Sequence, residues 1–502
     1  MIPVTVRELA DLVGAEVLGL EDPTPDAAAL DALVTGLVVD SRQVAAGSLF
    51  VALVGERVDG HDYVATAFAQ GAVAALVARP PSGSVGGPCL VVGDPLAAAG
   101  RVARNQVDAG VRGGLRVAAI TGSAGKTSTK DLLAHLLEGT GPTVAPVGNL
   151  NNEIGVPLTV CRIEEATRFL VVEMGARGIG HIAYLCTITP PRVAAVLNVG
   201  TAHVGEFGGR DQIAVAKGEI VEALPADGTA VLTADDPLVW AMRGRTAARV
   251  LATSVSDEPE AGDAIWATDI RSDALGRCAF TLHEKWGGEP GEPVRVQLGL
   301  SGRHQVANAV AAAALARALG VPAGVIADRL PTARPRSRWR MELTERADGV
   351  LIVNDAYNAN PESMRAALDT VGAVVADRAG VGAVGWAVLG DMLELGGSAA
   401  AEHRSLGGYA VRHGLTRVIA IGSFADEVVA GARAGGTAVS AVSATDSDDA
   451  VRRVLADLAP GDVVLVKASR GLALDTVAAA IAAADPVGPV ADPGTEHSED
   501  SA

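Results

Sequence analysis

The sequence predicts an α/β protein of three domains built on mostly parallel sheets. Its 502 residues exceed one ordinary core, and about 100–200 residues per domain gives three. Short apolar runs recur, each closed by a glycine or polar turn and followed by an alanine-rich helical pattern. Two stretches break that rhythm: PPSGSVGGP (80–88), whose following helix leads to the glycine pair at 113–114, and PTARPRSR (331–338). Domains are therefore expected at 1–112, 113–332 and 333–485, with a disordered tail at 486–502 rich in proline, glycine and acid.

In chain order the strand candidates are LRVAAI (115–120), FLVVE (169–173), VAAVLNVG (193–200), AVLTADD (230–236), GVLIVND (349–355), WAVLGD (386–391), RVIAIGS (417–423) and VVLVKAS (463–469). Continuous apolar strands suit sheets covered on both faces, which bind ligands at the carboxyl ends of their strands. Polar residues closing these runs thus become site candidates. The alanine-rich run Val306 to Ala327 contains Asn308 and Arg317 and reads as a soluble helix, and no internal repeat is found.

Composition excludes several function classes. Hydrophobic residues make up 49% and aromatics 3%, a packed enzyme-like chain rather than a disordered one. A formal charge of −18 excludes a sequence-independent nucleic-acid binder, which needs a basic surface. Four scattered cysteines (Cys89, Cys161, Cys186, Cys278) suggest neither a disulfide framework nor a zinc site. The N-terminus meets Arg7 and Glu8 before any signal-length apolar core, and no membrane-length run follows. A cytoplasmic monomer without membrane insertion is expected.

The strand LRVAAI runs into T-G-S-A-G-K-T-S (121–128) and then a helical pattern, where backbone amides and a helix N-terminus cradle phosphate. Ile120 stands where the longer phosphate loop has glycine, so the match is to the shorter TGxxGKT[ST] form. Lys126 is expected at the β/γ-phosphates and Thr127 at magnesium, with Gly122, Ser123, Ala124, Gly125 and Ser128 completing the loop. Glu173 and His203 follow neighbouring strand ends; carboxylate oxygen suits magnesium, histidine less so, and each residue type serves equally as a cap. Lys217 opens K-G-E-I, where an isolated lysine is ordinarily solvated. Asn308 in G-R-H-Q-V-A-N-A (302–309) fits either adenine contact or a helix N-terminus. Asp355, Asn358 and Asn360 crowd the loop NDAYNANP, with Pro361 starting a helix; ligand contact and an ordinary turn are both open.

Together these segments resemble the Mur ligases over nearly the whole chain except the tail. The discriminating segments are G-N-L-N-N-E-I-G-V-P (148–157), E-M-G-A-R (173–177), N-V-G-T-A-H (198–203), N-D-A-Y-N-A-N-P-E-S-M (354–364) and L-G-D-M-L-E-L-G (389–396). D-S-R (40–42) and G-S-L-F-V-A-L-V-G-E-R-V-D-G-H-D-Y (47–63) resemble the family's UDP-binding domain. The resemblance implies an N-terminal UDP-binding domain, a central P-loop-type ATPase domain and a C-terminal Rossmann-like domain. It implies an ATP- and Mg2+-dependent amide ligase joining D-alanyl-D-alanine to UDP-N-acetylmuramoyl-tripeptide through an acyl phosphate. It further implies catalytic roles for Lys126, His203 and Lys217, magnesium at Thr127, Glu173, His203 and a carbamylated Lys217, and adenosine and phosphates at Asn308, Arg338 and Asp355. Substrate contacts are implied for Ser41, Arg42, Asp59, Gly60, His61, Asn149, Asn152, Asn358 and Asn360; for the first-domain residues, ordinary turn chemistry is the alternative. A diamino-acid-adding relative is the nearest rival, although its DNPR-type motif is absent. A non-catalytic nucleotide-binding regulator is the rival from another class.

Overall fold

A computed structural model describes residues 1–18, 27–83, 85–200 and 207–486. His203 and all but the first residue of the expected tail lie outside them. Besides a two-stranded antiparallel pair, Val4–Thr5 with Leu33–Val34, three larger sheets carry the fold. The first has the strand order Glu16–Leu18, Cys89–Val91, Ala72–Val77, Ser48–Val51, Gly36–Val38, parallel except for its first pair. The stretch 80–88 connects two strands paired within this sheet.

The middle sheet has ten strands. Its parallel part runs Thr143–Val144, Phe169–Glu173, Arg116–Thr121, Val193–Val196, Thr229–Thr233, Arg249–Ser254, Ala264–Ser272. Every residue of Phe169–Glu173 and Val193–Val196 is buried, as continuous apolar runs require, and each fully buried branched side chain contributes about 1.5–3 kcal/mol. Beyond them lies an antiparallel extension, Arg277–Trp286 with Val294–Ser301 and Glu289–Pro290, which continuous apolar runs do not signal. Its strands alternate buried and accessible residues because one face meets solvent.

The third sheet runs Glu342–Glu345, Leu351–Asn354, Val463–Lys467, Gly385–Gly390, Arg417–Ile421, Ser440–Ala444, with only the first strand antiparallel. The single helix expected over 306–327 is two helices, His304–Ala318 and Ala323–Arg329. Gly320, at φ +87°, and Pro322 separate them, since a left-handed residue ends helical geometry. Helix Pro95–Arg112, started by the Asp94 carboxylate on the amides of Leu96 and Ala97, joins the first two sheets. Its Ala99, Val102 and Val107 belong to one apolar cluster that also holds Leu49 and Leu76 on one side and Val117 and Leu170 on the other. Among the described residues no helix is long and apolar enough to cross a membrane.

Candidate active site

Strand Arg116–Thr121 sits between Phe169–Glu173 and Val193–Val196, where strand order reverses, so its carboxyl end opens onto the crevice that binds ligands in such sheets. The loop 121–126 leaves that end. Gly125, at φ +82°, precedes helix Lys126–Leu137 without any side-chain cap, leaving the helix's first amides and its positive dipole end for an anion. A β-carbon at Gly125 would collide with Asn308 Oδ1, so Asn308 abuts the loop from the second turn of its helix and is no cap. Asn308 donates to Gln305 Oε1 (2.9 Å) and accepts from Thr129 Oγ1 (3.3 Å). Asn198 clamps the loop: Ala124 N–H donates to Asn198 Oδ1 at 2.8 Å, and Asn198 Nδ2 donates to Ala124 O at 3.1 Å. Ser123 Oγ accepts from Gly200 N–H, and Ser128 lies half-buried on the first helical turn.

Lys126 Nζ folds back onto Gly122 O at 2.8 Å, within the loop's concavity. Burial lowers its pKa, Glu173 opposes that shift, and Arg340 adds to it. Thr127 Oγ1 donates to Glu173 Oε2 (2.8 Å), and Asn151 Nδ2 donates to Glu173 Oε1 (2.8 Å). Glu173 is 1% exposed at the end of a wholly buried strand, and these two hydrogen bonds satisfy both of its carboxyl oxygens. Lys217 is buried on helix Arg210–Glu222, with no hydrogen-bond partner among the described residues; burial first, and Lys126 second, lower its pKa well below the ordinary lysine value. Glu219 accepts from the amides of Gly180 and Ala183, which fastens the K-G-E turn to helix His181–Ile188.

The third domain meets this centre through its linker. Ser337 Oγ donates to Asp131 (2.6 Å) on helix Lys126–Leu137, and Arg336 clasps Glu138 (2.5 Å), the residue that caps that helix's C-terminus. Arg340 Nη2 donates to Thr127 Oγ1 at 2.9 Å, its guanidinium lies 4.1 Å over Tyr357, and its buried Nε has no partner. Trp339 and Met341, on either side of it, both adopt left-handed backbone (φ +60° and +50°), a costly arrangement for residues with side chains. Arg338, expected to hold the adenosine and phosphates, is exposed and makes no hydrogen bond among the described residues, whereas Arg340 is the arginine that contacts Thr127. Arg338 and Arg340 lie in a turn rather than an extended strand, and the left-handed backbone at Trp339 and Met341 places residues two apart in different environments. Arg340→Ala is expected to lower kcat/KM about 100-fold and Arg338→Ala less than about threefold, measured by phosphate release. Equal losses would return the role to Arg338.

Asp355 follows strand Leu351–Asn354, which pairs with Val463–Lys467, so Lys467 meets it at 2.6 Å. Lys467 also donates to the carbonyls of Asn358 (2.8 Å) and Asp355 (3.4 Å). His304, on the middle-domain helix, is half-buried with its buried Nδ1 unpartnered, and burial lowers its pKa against the pull of Asp355. Asn360 is the cap of helix Pro361–Asp377, accepting from Ser363 N–H at 2.8 Å, and Asn358 Oδ1 accepts from Ala359 N–H. Asn152 Oδ1 likewise turns the chain into helix Gly155–Val160, while Asn149 is exposed without a bond among the described residues. Asn151, between them, is the asparagine that reaches Glu173. Side-chain identity alone gives no means of choosing among three neighbouring asparagines.

In the first domain, Ser41–Gln43 and Gly60–Tyr63 form short turns beyond the carboxyl ends of adjacent parallel strands. Asp40 takes Arg42 in a two-pronged pair (2.7 and 2.9 Å), which holds its carboxyl down to about 2. Asp59 accepts from His61 Nδ1 (2.7 Å) and from Arg79 (2.6 Å), while His61 Nε2 accepts from Ala78 N–H (2.9 Å). His61 is therefore neutral with its proton on Nδ1. Gly60 has no room for a β-carbon, which would stand 2.7 Å from Leu53 N.

Family models match three successive segments: the Mur ligase family catalytic domain at 33–109, the Mur ligase middle domain at 120–316 and the Mur ligase glutamate ligase domain at 339–470. UDP-N-acetylmuramoyl-tripeptide--D-alanyl-D-alanine ligase of Mycobacterium tuberculosis is 44% identical over 98% of this chain and 100% of its own. The crystal structure of MurF from Acinetobacter baumannii superposes with a TM-score of 0.82 at 32% identity, covering 96% of this chain and 99% of that one. MurF ligase from Thermotoga maritima in complex with ADP gives 0.74 at 28% identity, covering 89% and 97%. With three consecutive domains matched and full-length relatives above 40% identity, the chain belongs to the Mur ligase family.

Proposed function

We propose that the protein joins D-alanyl-D-alanine to UDP-N-acetylmuramoyl-tripeptide at the expense of ATP. The observation that carries the reading is the convergence of Lys126, Thr127, Glu173, Lys217 and Arg340 from two domains onto one uncapped helix end, set beside full-length relatives with that printed activity. The tripeptide carboxylate attacks the γ-phosphate, giving an acyl phosphate and ADP; the dipeptide amine then attacks the activated carbonyl and phosphate leaves. Two anions must meet, so the site's work is to concentrate positive charge and exclude water. Lys126 and the amides of 122–128 take the phosphates, and the unpartnered Arg340 Nε offers a further donor from across the cleft. Asn308 and Asp355 bound the adenosine side.

The donor set fits magnesium: a threonine hydroxyl and a glutamate oxygen, hard ligands 2.8 Å apart, with Asn151 orienting the carboxylate. Bound there, the ion would neutralise triphosphate charge. Lys217 suits carbamylation, because carbon dioxide adds only to a neutral amine and burial favours that form. Between its lowered folded value and the ordinary 10.5, the unfolded chain holds more protons, so stability rises with pH across that window. Lys217→Met, which deletes a buried cation facing Lys126, is accordingly expected to melt about 2 °C or more higher at pH 7 while losing ligase activity. A lower melting point would show that Lys217 is stabilised in the native state.

In the first domain, Ser41, Arg42, Asp59, Gly60 and His61 serve the uridine diphosphate end, and Asn149, Asn152, Asn358 and Asn360 shape the loops around the peptide. The deciding experiment supplies ATP, magnesium and UDP-muramoyl tripeptide with and without D-alanyl-D-alanine, following phosphate and product mass. Dipeptide-dependent phosphate release with a pentapeptide product establishes the reading. Turnover only of the dipeptide precursor with a diamino acid would overturn it.

A further inference from the structure

The L-G-D-M-L-E-L-G segment has no part in the phosphate chemistry, yet the structure fastens it beside the site. Leu393 N–H donates to Ser469 Oγ (3.0 Å), and Ser469 N–H donates to Asp391 O (3.1 Å), so the 391–395 and 469–474 loops form one unit at the sheet's carboxyl edge. Glu394 and Ala473 in these loops adopt left-handed backbone (φ +66° and +51°), as do Trp339 and Met341, strain that packing must sustain. Leu393 is 48% exposed, an apolar side chain on the surface of this unit rather than in a core.

Arg470 stands in the same unit. Its guanidinium lies 4.2 Å over the ring of Trp339, whose carbonyl accepts from Tyr357 N–H and whose chain neighbour Arg340 touches Thr127. One arm pairs with Asp475 at 2.6 Å; Nε and Nη2 carry no partner among the described residues. Stacking fixes the plane of the fork while leaving that edge free, the geometry that suits a carboxylate. Three other cations near the reacting centre are committed. All three protons of Lys467 are met by oxygen, and Arg340 and Lys126 belong to the phosphates.

A dipeptide whose amine attacks an acyl phosphate must place its own carboxylate about 7 Å away, two extended residues further on, and that charge requires a counterion. We propose that Arg470 binds the C-terminal carboxylate of the incoming dipeptide, with Leu393 and Trp339 against its methyl groups, so that this unit selects a short, small-side-chain nucleophile. The assignment rests on the ligase reading above.

The test compares D-alanyl-D-alanine with its C-terminal amide, in the full-length protein with ATP, magnesium and UDP-muramoyl tripeptide. The wild type is expected to use the amide about 30-fold or more less efficiently, from the loss of one charge-assisted pair. Arg470→Ala is expected to lose a similar factor on the acid, chiefly in KM for the dipeptide, and to treat acid and amide alike. KM for ATP should stay within about threefold, and Arg470→Lys should recover part of the acid preference, keeping the charge without the fork. An Arg470→Ala variant that folds with wild-type melting behaviour and still prefers the acid overturns the assignment and leaves the ligase reading standing. If the wild type consumes neither dipeptide while still hydrolysing or transferring from ATP, both fall.

Discussion

Replacing Lys126 with alanine is expected to reduce ligase kcat/KM by about a thousandfold, with thermal stability unchanged or raised. The side chain makes one hydrogen bond, to Gly122 O, and its ammonium is unfavourably buried beside Arg340, so its removal costs the fold little. What it removes is the positive charge nearest the helix end where the phosphate negative charge gathers. Phosphate release measured with saturating dipeptide, together with a melting curve, separates the two effects. A variant with full activity would sink the phosphate-loop assignment outright.

The second large effect is on stability. Lys467 and Asp355 form an ion pair whose side chains are 3% and 14% exposed, at the junction of two paired strand ends. Asp355→Ala strands the ammonium with carbonyl partners only, and is expected to destabilise the third domain by about 3–5 kcal/mol, read from urea unfolding. Asp355→Ala combined with Lys467→Met should recover most of that loss, since replacing both members leaves no uncompensated charge. The pair also clarifies how ATP affinity should be read. Weak nucleotide binding in Asp355→Ala alone reflects either contact or collapse of the loop. Weak binding that persists in the stable double variant assigns Asp355 to the nucleotide, and restored binding removes it from the site.

Much of the architecture was legible because each of the eight apolar runs is a strand buried on both faces, and such strands leave a continuous signature. The alternating strands Arg277–Trp286 and Val294–Ser301 were missed because a half-solvated sheet writes a weaker, period-two pattern. The turn at 121–126 was legible because it depends on local backbone: glycine at a left-handed position, lysine at a helix start. Arg340, Asn151 and Asn198 were not, since each makes its contact with distant chain, Arg340 with Thr127 across 213 positions and Asn198 with Ala124 across 74. Nothing in R-S-R-W-R-M marks the fifth residue over the third until the left-handed residues at 339 and 341 turn it inward.

The sequence by itself therefore determined the class of fold and the glycine turn that leads from strand Arg116–Thr121 into helix Lys126–Leu137, because these follow from hydrophobic period and short-range backbone chemistry. Only the tertiary structure decided that Arg340 meets Thr127 and Asn151 meets Glu173, that Asn360 caps its helix, and that Lys467 pairs with Asp355. Those outcomes depend on strand pairing and on how the third domain seats against the second. A side chain's partner is fixed by where the sheets bring it, and one-dimensional spacing does not record that.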